Sequence, residues 1–377
     1  MAARDRRRLL GGHAPTAFLA RHWHKEPLLV RAAVADLAAT LSRDALFDLA
    51  ARDDVASRLV RRDANRYSLA HGPFTRSQLR KLPASNWTLL VQGVNLHDDG
   101  ADALLRRFAF IPYARLDDVM VSYAAPGGGV GPHFDSYDVF LLQTQGQRRW
   151  RYGRQGDLSL RPGLPLRILR RFTPGHDATL VPGDMLYLPP QFAHDGIAVD
   201  ACITYSIGFR APRNQELAES FVDHLRDTLH VPGRYADPDL RPSAAPARID
   251  PRLARRMGEA IAHVRWNERE VRRFIGRFLT EPKPEVVFTT SRASRAAVRQ
   301  RMRRAGVRLD RRTQLLYDKA NLFVNGEVAR WPAAGADVIA RLADSRALAA
   351  PECRALPAAA AGLVHDWYRD GFLHLAA

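Results

Sequence analysis

Two short segments carry residues whose types and spacing could do chemistry. The first is Pro126-Gly-Gly-Gly-Val-Gly-Pro-His133-Phe-Asp135. In a strand, residues two apart project to the same side, so an extended backbone here would present an imidazole and a carboxylate together. These are two of the three ligands of a 2-His-1-carboxylate set, which holds iron(II) and leaves coordination positions open. A His-x-Asp is common by chance, so the third ligand has to come from elsewhere in the chain. Val181-Pro-Gly-Asp-Met-Leu-Tyr-Leu-Pro-Pro-Gln-Phe-Ala-His194 offers one. A tight Pro-Gly-Asp turn leads into a strand, a Pro-Pro stop follows, and then the histidine. His133, Asp135 and His194 are therefore the candidate metal ligands and catalytic centre.

The elements that must position them read as strands. Val119–Tyr123, Val139–Gln143, Arg149–Tyr152, Thr179–Val181, Met185–Leu188 and Cys202–Phe209 are apolar or β-branched segments, punctuated by Gly and Pro. Many short strands at such spacing argue for an all-β sandwich or barrel. Asn86–His97 has a similar character. Residues 14–60 alternate short helical patterns with charge, and His22 and His24 flank Trp23 on one of them. An i,i+2 pair does not share a helix face, so these two histidines are not expected to form a second metal site. The character changes at Ala211-Pro212. Residues 215–231 are helical, 232–251 form a Pro-rich connector, and 251–279 are helical again. Amphipathic helices of this kind need a surface on which to bury an apolar face, and a partner subunit is one option. Glu281-Pro-Lys-Pro284 reads as a linker. Beyond it come helix, a hairpin at Asn325-Gly326 and further helices, a small α+β unit.

Composition narrows the class. The chain has 377 residues, 46% hydrophobic and 26% charged, which suits a globular protein of two or three domains. The formal net charge is +17, so an anionic partner has to be considered. The only lysines are Lys25, Lys81, Lys283 and Lys319. An excess of arginine this lopsided fits a genomic composition bias better than it fits a nucleic-acid surface, since net charge alone never identifies a binding mode. Two cysteines, Cys202 and Cys353, make neither a disulfide framework nor a thiolate zinc site, which suits a reducing cytoplasm. No apolar run approaches the length of a membrane helix.

The two ligand segments resemble the cupin superfamily, and within it the JmjC-type 2-oxoglutarate oxygenases. The nearer resemblance is to the bacterial ribosomal oxygenases, which act on an arginine of a large-subunit ribosomal protein. Its strongest pieces are Pro126–His133, Asp135, Tyr137-Asp-Val-Phe140, Arg148-Arg-Trp-Arg151, Pro182-Gly-Asp184, His194 and Ser206-Ile-Gly-Phe-Arg-Ala-Pro212. Ser57-Arg-Leu-Val60, His71-Gly-Pro-Phe74 and Trp87–Gln92 add to it. Phe134 departs from the leucine expected between the ligands, an apolar exchange. The resemblance implies a mainly β fold with helices. A double-stranded β-helix barrel with N-terminal helical elements would occupy 1–212, a helical dimerisation region 213–280, and a winged-helix-like domain 285–377.

The implied cofactors are Fe(II) and the co-substrate 2-oxoglutarate. The implied reaction is hydroxylation of an arginine β-carbon in the sixteenth large-subunit ribosomal protein. Arg148 is the expected partner of the co-substrate's distal carboxylate, because a guanidinium grips a carboxylate bidentately and stays charged when buried. Arg149 and Arg151 remain competitors for that role. The family pattern turns Ser122 into the barrel as a co-substrate contact, and strand parity then brings Met120 and Asp118 to the same face. Asp118 could hold a substrate guanidinium, and Tyr137 could line the channel. The expected partners are the ribosomal protein, ribosomal RNA and a second copy of the chain, with no membrane. A histidine hydroxylase, a lysyl demethylase, and an RNA-binding cupin without oxygenase activity are the alternative readings.

Overall fold

A computed structural model describes residues 3–63 and 66–376. Eleven strands build the N-terminal half. They are β1 (Leu28–Val30), β2 (Ser57–Asp63), β3 (Arg66–His71), β4 (Trp87–Val91), β5 (Leu116–Ala124), β6 (Val139–Gln145), β7 (Arg148–Gly153), β8 (His176–Leu180), β9 (Met185–Leu188), β10 (Ala193–Ala198) and β11 (Cys202–Phe209). Eight form one sheet in the order β1-β9-β6-β11-β5-β4-β2-β3, and the other three form a second sheet, β10-β7-β8. Every pairing is antiparallel.

The three central strands of the large sheet show why the sequence folds this way. On β5, Val119 and Val121 are fully buried in the main core, as are Phe140 and Leu142 on β6 and Ile203, Tyr205 and Ile207 on β11. The alternate positions, Met120 and Ser122, Val139 and Leu141, and Thr204 and Ser206, line a cavity on the other face. Thr204 pairs with Ser122, and Ser206 with Met120. A slip of one residue would exchange the two faces, so burial of the apolar set fixes the register. N-terminal helices cover the outer face. Phe18 packs 5.5 Å from Phe140 and 5.0 Å from Tyr187, and Phe108 lies 4.7 Å from Phe140, measured between ring centroids.

The structure departs from the sequence expectation at several points. Residues 126–132 and 134–138 are not strand; His133 makes only an isolated bridge with His194. His194, after the Pro-Pro stop, lies inside β10. The helix expected around Trp23 ends at Arg21, and His24 takes a left-handed backbone with φ 58°. The second helical stretch splits into Pro251–Ile261 and Glu268–Thr280, because Asn267 caps a new helix by accepting from the Glu270 N–H. The β2–β3 hairpin was not legible at all.

Beyond the linker, four helices and two three-stranded sheets enclose a separate core around Val298, Ile339, Leu342, Val364 and Leu373. Asn325 and Gly326, at φ 49° and 84°, make the expected hairpin turn. Among the described residues, no helix is long and apolar enough to cross a membrane.

Candidate metal centre and its cavity

The two histidines reach one another through the backbone. The His133 N–H donates to the His194 carbonyl at 3.0 Å, and the His194 N–H returns to the His133 carbonyl at 2.8 Å. Each ring is then oriented by its own segment. Nδ1 of His133 lies 2.9 Å from the Gly131 carbonyl, and Nδ1 of His194 lies 3.0 Å from the Phe192 carbonyl. A carbonyl can only accept, so both Nδ1 atoms carry a proton, and Nε2 is the atom each ring has left for a metal. Asp135 Oδ2 is 3.7 Å from His194 Nε2. One donor atom from each of the three residues lies within 4.8 Å of the others. Burial, and then the neighbouring His133, push His194 down to about 4, which keeps its imidazole neutral. Two neutral imidazoles and a carboxylate on one side suit a divalent first-row metal and can leave positions open to the cavity.

The cavity encloses about 460 Å³ between the two sheets. Asp118, Met120, Ser122, Tyr137 and Arg148 all line it with the three candidate ligands, so the structure brings these eight residues together. The three arginines of β7 part company. Arg149 is exposed and pairs with Asp177, while Arg151 pairs with Asp195. Arg148 is 3% exposed and points inward. It donates to Ser122 Oγ at 3.1 Å, Thr204 Oγ1 at 3.4 Å and the Gly196 carbonyl at 3.2 Å, and its guanidinium sits 4.9 Å from the Trp150 ring centroid. Among the described residues no carboxylate pairs with it and its Nε has no partner, and burial pulls its pKa below the ordinary arginine value. A buried cation left in this state can take an anion as its partner.

Asp118 stands at the mouth. Its Oδ2 accepts from the Gly93 N–H at 3.2 Å, and burial raises its pKa. Tyr137 is 40% exposed beside it.

Sequence reasoning missed the polar wall behind Arg148. Thr204 Oγ1 donates to Gln143 Oε1 at 2.9 Å, which fixes its lone pairs towards the arginine. The legible signal was a threonine and a glutamine in otherwise apolar strands. It also missed Asp138, fully buried, which accepts from Tyr187 Oη at 2.5 Å and lies 3.1 Å from His24 Nε2. That cluster ties the ligand loop to the N-terminal segment, and no local pattern announces a contact spanning so much of the chain.

Comparison with known proteins gives a consistent picture. The JmjC domain family model matches residues 103–217, and the ROXA-like winged helix model matches 263–374. The chain is 37% identical over 272 residues to ribosomal protein uL16 3-hydroxylase of Escherichia coli (strain K12), covering 71% of this chain and 72% of that protein. It is 35% identical over 232 residues to a probable ribosomal oxygenase of Haemophilus influenzae, covering 60% and 55%. The crystal structure of E. coli YcfD superposes with a TM-score of 0.81 at 31% identity, covering 95% of this chain and 96% of that one. YcfD, a ribosomal oxygenase, in complex with cobalt and 2-oxoglutarate gives 0.79 at 30% identity, covering 96% and 97%.

Proposed function

The chain belongs to the JmjC-type ribosomal oxygenases, and from that premise we propose that it hydroxylates the β-carbon of an arginine in ribosomal protein uL16, using Fe(II), oxygen and 2-oxoglutarate. Bound iron(II) supplies the oxidative chemistry, by which 2-oxoglutarate and oxygen yield succinate, carbon dioxide and one hydroxyl on the substrate carbon. The carrying observation is the pairing, in one cavity, of the three metal-competent side chains with a buried arginine that lacks a carboxylate.

The protein's own residues divide the work. His133, Asp135 and His194 hold the metal through two Nε2 atoms and a carboxylate. Arg148 grips the distal carboxylate of 2-oxoglutarate, with the Ser122 and Thr204 hydroxyls beside it. Trp150, against the arginine, keeps water from that end. At the mouth Asp118 takes the substrate guanidinium, while Met120 and Tyr137 flank the side chain. Holding both substrates in fixed geometry is the protein's main contribution, because the reactive chemistry belongs to the metal and co-substrate.

The domain division expected from the sequence, 1–212, 213–280 and 285–377, is part of this reading. So is dimerisation through 213–280. Val222, Met257, Ile261 and Trp266 are 63%, 45%, 70% and 53% exposed, an apolar surface that a second copy would cover. A monomer mass by light scattering would remove it. Contact with ribosomal RNA is supported by the exposed helix Arg295–Ala305, which carries five arginines and no acidic residue; the salt dependence of RNA binding tests it. Work on a ribosomal protein fits a cytoplasmic location.

The deciding experiment is anaerobic reconstitution with iron(II), then oxygen-dependent succinate release with and without a uL16 peptide read by mass spectrometry. Peptide-stimulated turnover with one oxygen added on arginine is expected. Succinate release without peptide oxidation would discard the substrate, and no turnover by folded, iron-loaded protein would discard the oxygenase.

A further inference from the structure

Lysine is rare in this chain, and one of its four lysines is placed where only a reach between domains could put it. Lys283 lies in the linker after Glu268–Thr280, between Pro282 and Pro284, whose rings fix their own backbone torsions. The helix end that leads into the linker is moored from two directions. Arg210, directly after β11, donates to the Leu279 carbonyl at 2.8 Å, and the Gly326 N–H of the C-terminal hairpin donates to Thr280 Oγ1 at 3.1 Å. From there the ammonium reaches Asp117 Oδ1 at 3.2 Å and Asp118 Oδ2 at 3.7 Å, with the lysine side chain only 28% exposed.

Resting on the proposed assignment of Asp118 to the substrate cation, we propose that Lys283 is a positioning residue for substrate. It and the Gly93 N–H hold Asp118 Oδ2, and so leave Oδ1 facing the cavity as the single acceptor for a guanidinium. The geometry supports this division. Oδ1 sits against Gly208, a cavity-lining residue, where an added Cβ would come within 3.3 Å of it. Oδ2 faces the linker. The lysine also sets the charge. Its ammonium answers one of the two adjacent carboxylates and leaves the other for a substrate cation.

The groups facing Asp118 are few. Asp117 neighbours it on β5, Lys283 comes from the linker with Glu285 near it, and Tyr137 stands across the mouth. Arg210, Glu281 and Arg312 lie in the cleft that holds Asp117 and Lys283, and Arg58 lines the cavity with Asp118 and Tyr137. Burial raises the carboxyl's pKa, and the Lys283 charge is the largest influence opposing that rise. An opposite charge at this range lowers a carboxyl pKa by about 1–3 units. Without the lysine, Asp118 would take up a proton closer to neutrality and lose its hold on the substrate.

The test uses full-length protein loaded with cobalt(II) and 2-oxoglutarate, and an arginine-containing uL16 peptide as probe. Its dissociation constant is measured from pH 5.5 to 8.5 for wild type, Lys283→Met, Lys283→Arg and Asp118→Asn. Parallel titration of 2-oxoglutarate reports any loss of the metal site. Lys283→Met should move the acidic limb of peptide binding up by about one pH unit, roughly tenfold weaker binding on the limb, with recovery at pH 8.5. Lys283→Arg should follow wild type, and Asp118→Asn should bind weakly at every pH. An unmoved limb in Lys283→Met would overturn the inference. So would tighter binding throughout, which would make the lysine a competitor of substrate, or an equal shift in Lys283→Arg. Wild type that ignores the peptide would take down the functional reading as well, whereas normal wild-type binding with an unmoved limb removes the inference alone.

Discussion

His133 and His194 are bound to each other through the backbone before any metal is considered, each N–H donating to the other's carbonyl. Their rings are 4.3 Å apart between centroids, and each is oriented by a carbonyl two residues earlier in its own segment. The site is therefore organised by backbone and not by the ion, and ligand removal should leave the fold intact. His133→Ala is expected to weaken iron(II) binding at least ~100-fold, since losing even a residue that only hydrogen-bonds a metal ligand costs about 10–100-fold. Cobalt(II) absorption titration reads the affinity, and circular dichroism of the metal-free protein should be unchanged. A variant that unfolds would show that the ion holds the loop and not the reverse.

Arg148 should trade stability for co-substrate binding. Arg148→Met removes a buried cation that has no carboxylate partner, so the protein without co-substrate should gain stability, because an unpaired charge is costly to bury. The same change should weaken 2-oxoglutarate by about 10²–10³-fold, in the range of 2–5 kcal/mol for losing one partner of a buried charge pair. Thermal melts with and without 2-oxoglutarate check both halves. Wild type should melt higher with the ligand, while the variant should melt higher without it and not respond. A lower melting temperature for the ligand-free variant would mean that the hydrogen bonds to Ser122, Thr204 and Gly196 outweigh the desolvation.

These residues differed in how readable they were. His133, Asp135 and His194 were legible because metal ligation demands particular side chains, and the Gly- and Pro-rich flanks marked both segments. The reasoning that joined His133 to Asp135 was nonetheless mistaken in mechanism. It assumed a strand, and the structure has a loop pinned at one point. Asp118, Met120 and Ser122 were legible because a strand alternates faces, and β5 is a strand throughout. Parity sets Arg148 with Trp150 on one face of β7 and Arg149 with Arg151 on the other, but it does not say which face points inward, and Asp177 and Asp195, which claim the outer two, lie on different strands. The Lys283 contact with Asp118 was out of reach for the same reason. It exists only because two domains meet, and nothing local in either segment encodes it.

Gly196 offers a test of how tightly the co-substrate wall is built. A Cβ there would lie 2.6 Å from the Trp150 ring, which in turn packs against the Arg148 guanidinium. Gly196→Ala should push the indole into the arginine and raise the Michaelis constant for 2-oxoglutarate, with a stability loss of about 1–3 kcal/mol typical of overpacking. The check is steady-state kinetics beside urea unfolding. An unaltered Michaelis constant in a destabilised protein would show that the indole yields away from Arg148.

Acid should weaken the metal-free protein through His194. Its folded pKa is about 4, against roughly 6.5 for an unfolded histidine. Between those values the unfolded chain binds the proton and the folded chain does not, so stability falls as pH drops from 6.5 towards 4. At about 1.4 kcal/mol per unit the full effect is roughly 3 kcal/mol, complete once pH reaches the folded pKa. Asp118 and Asp138, whose carboxyls are raised by burial, push in the other direction, so the wild-type curve alone is ambiguous. The informative quantity is the stability difference between wild type and His194→Gln, measured by urea unfolding without metal at pH 7.5, 5.5 and 4.5. That difference should shrink steadily in wild type's disfavour as pH falls. A flat difference would mean that the folded imidazole takes up a proton as readily as the unfolded one, shared with Asp135 across 3.7 Å, and that the site does not hold its ligands ready for an ion.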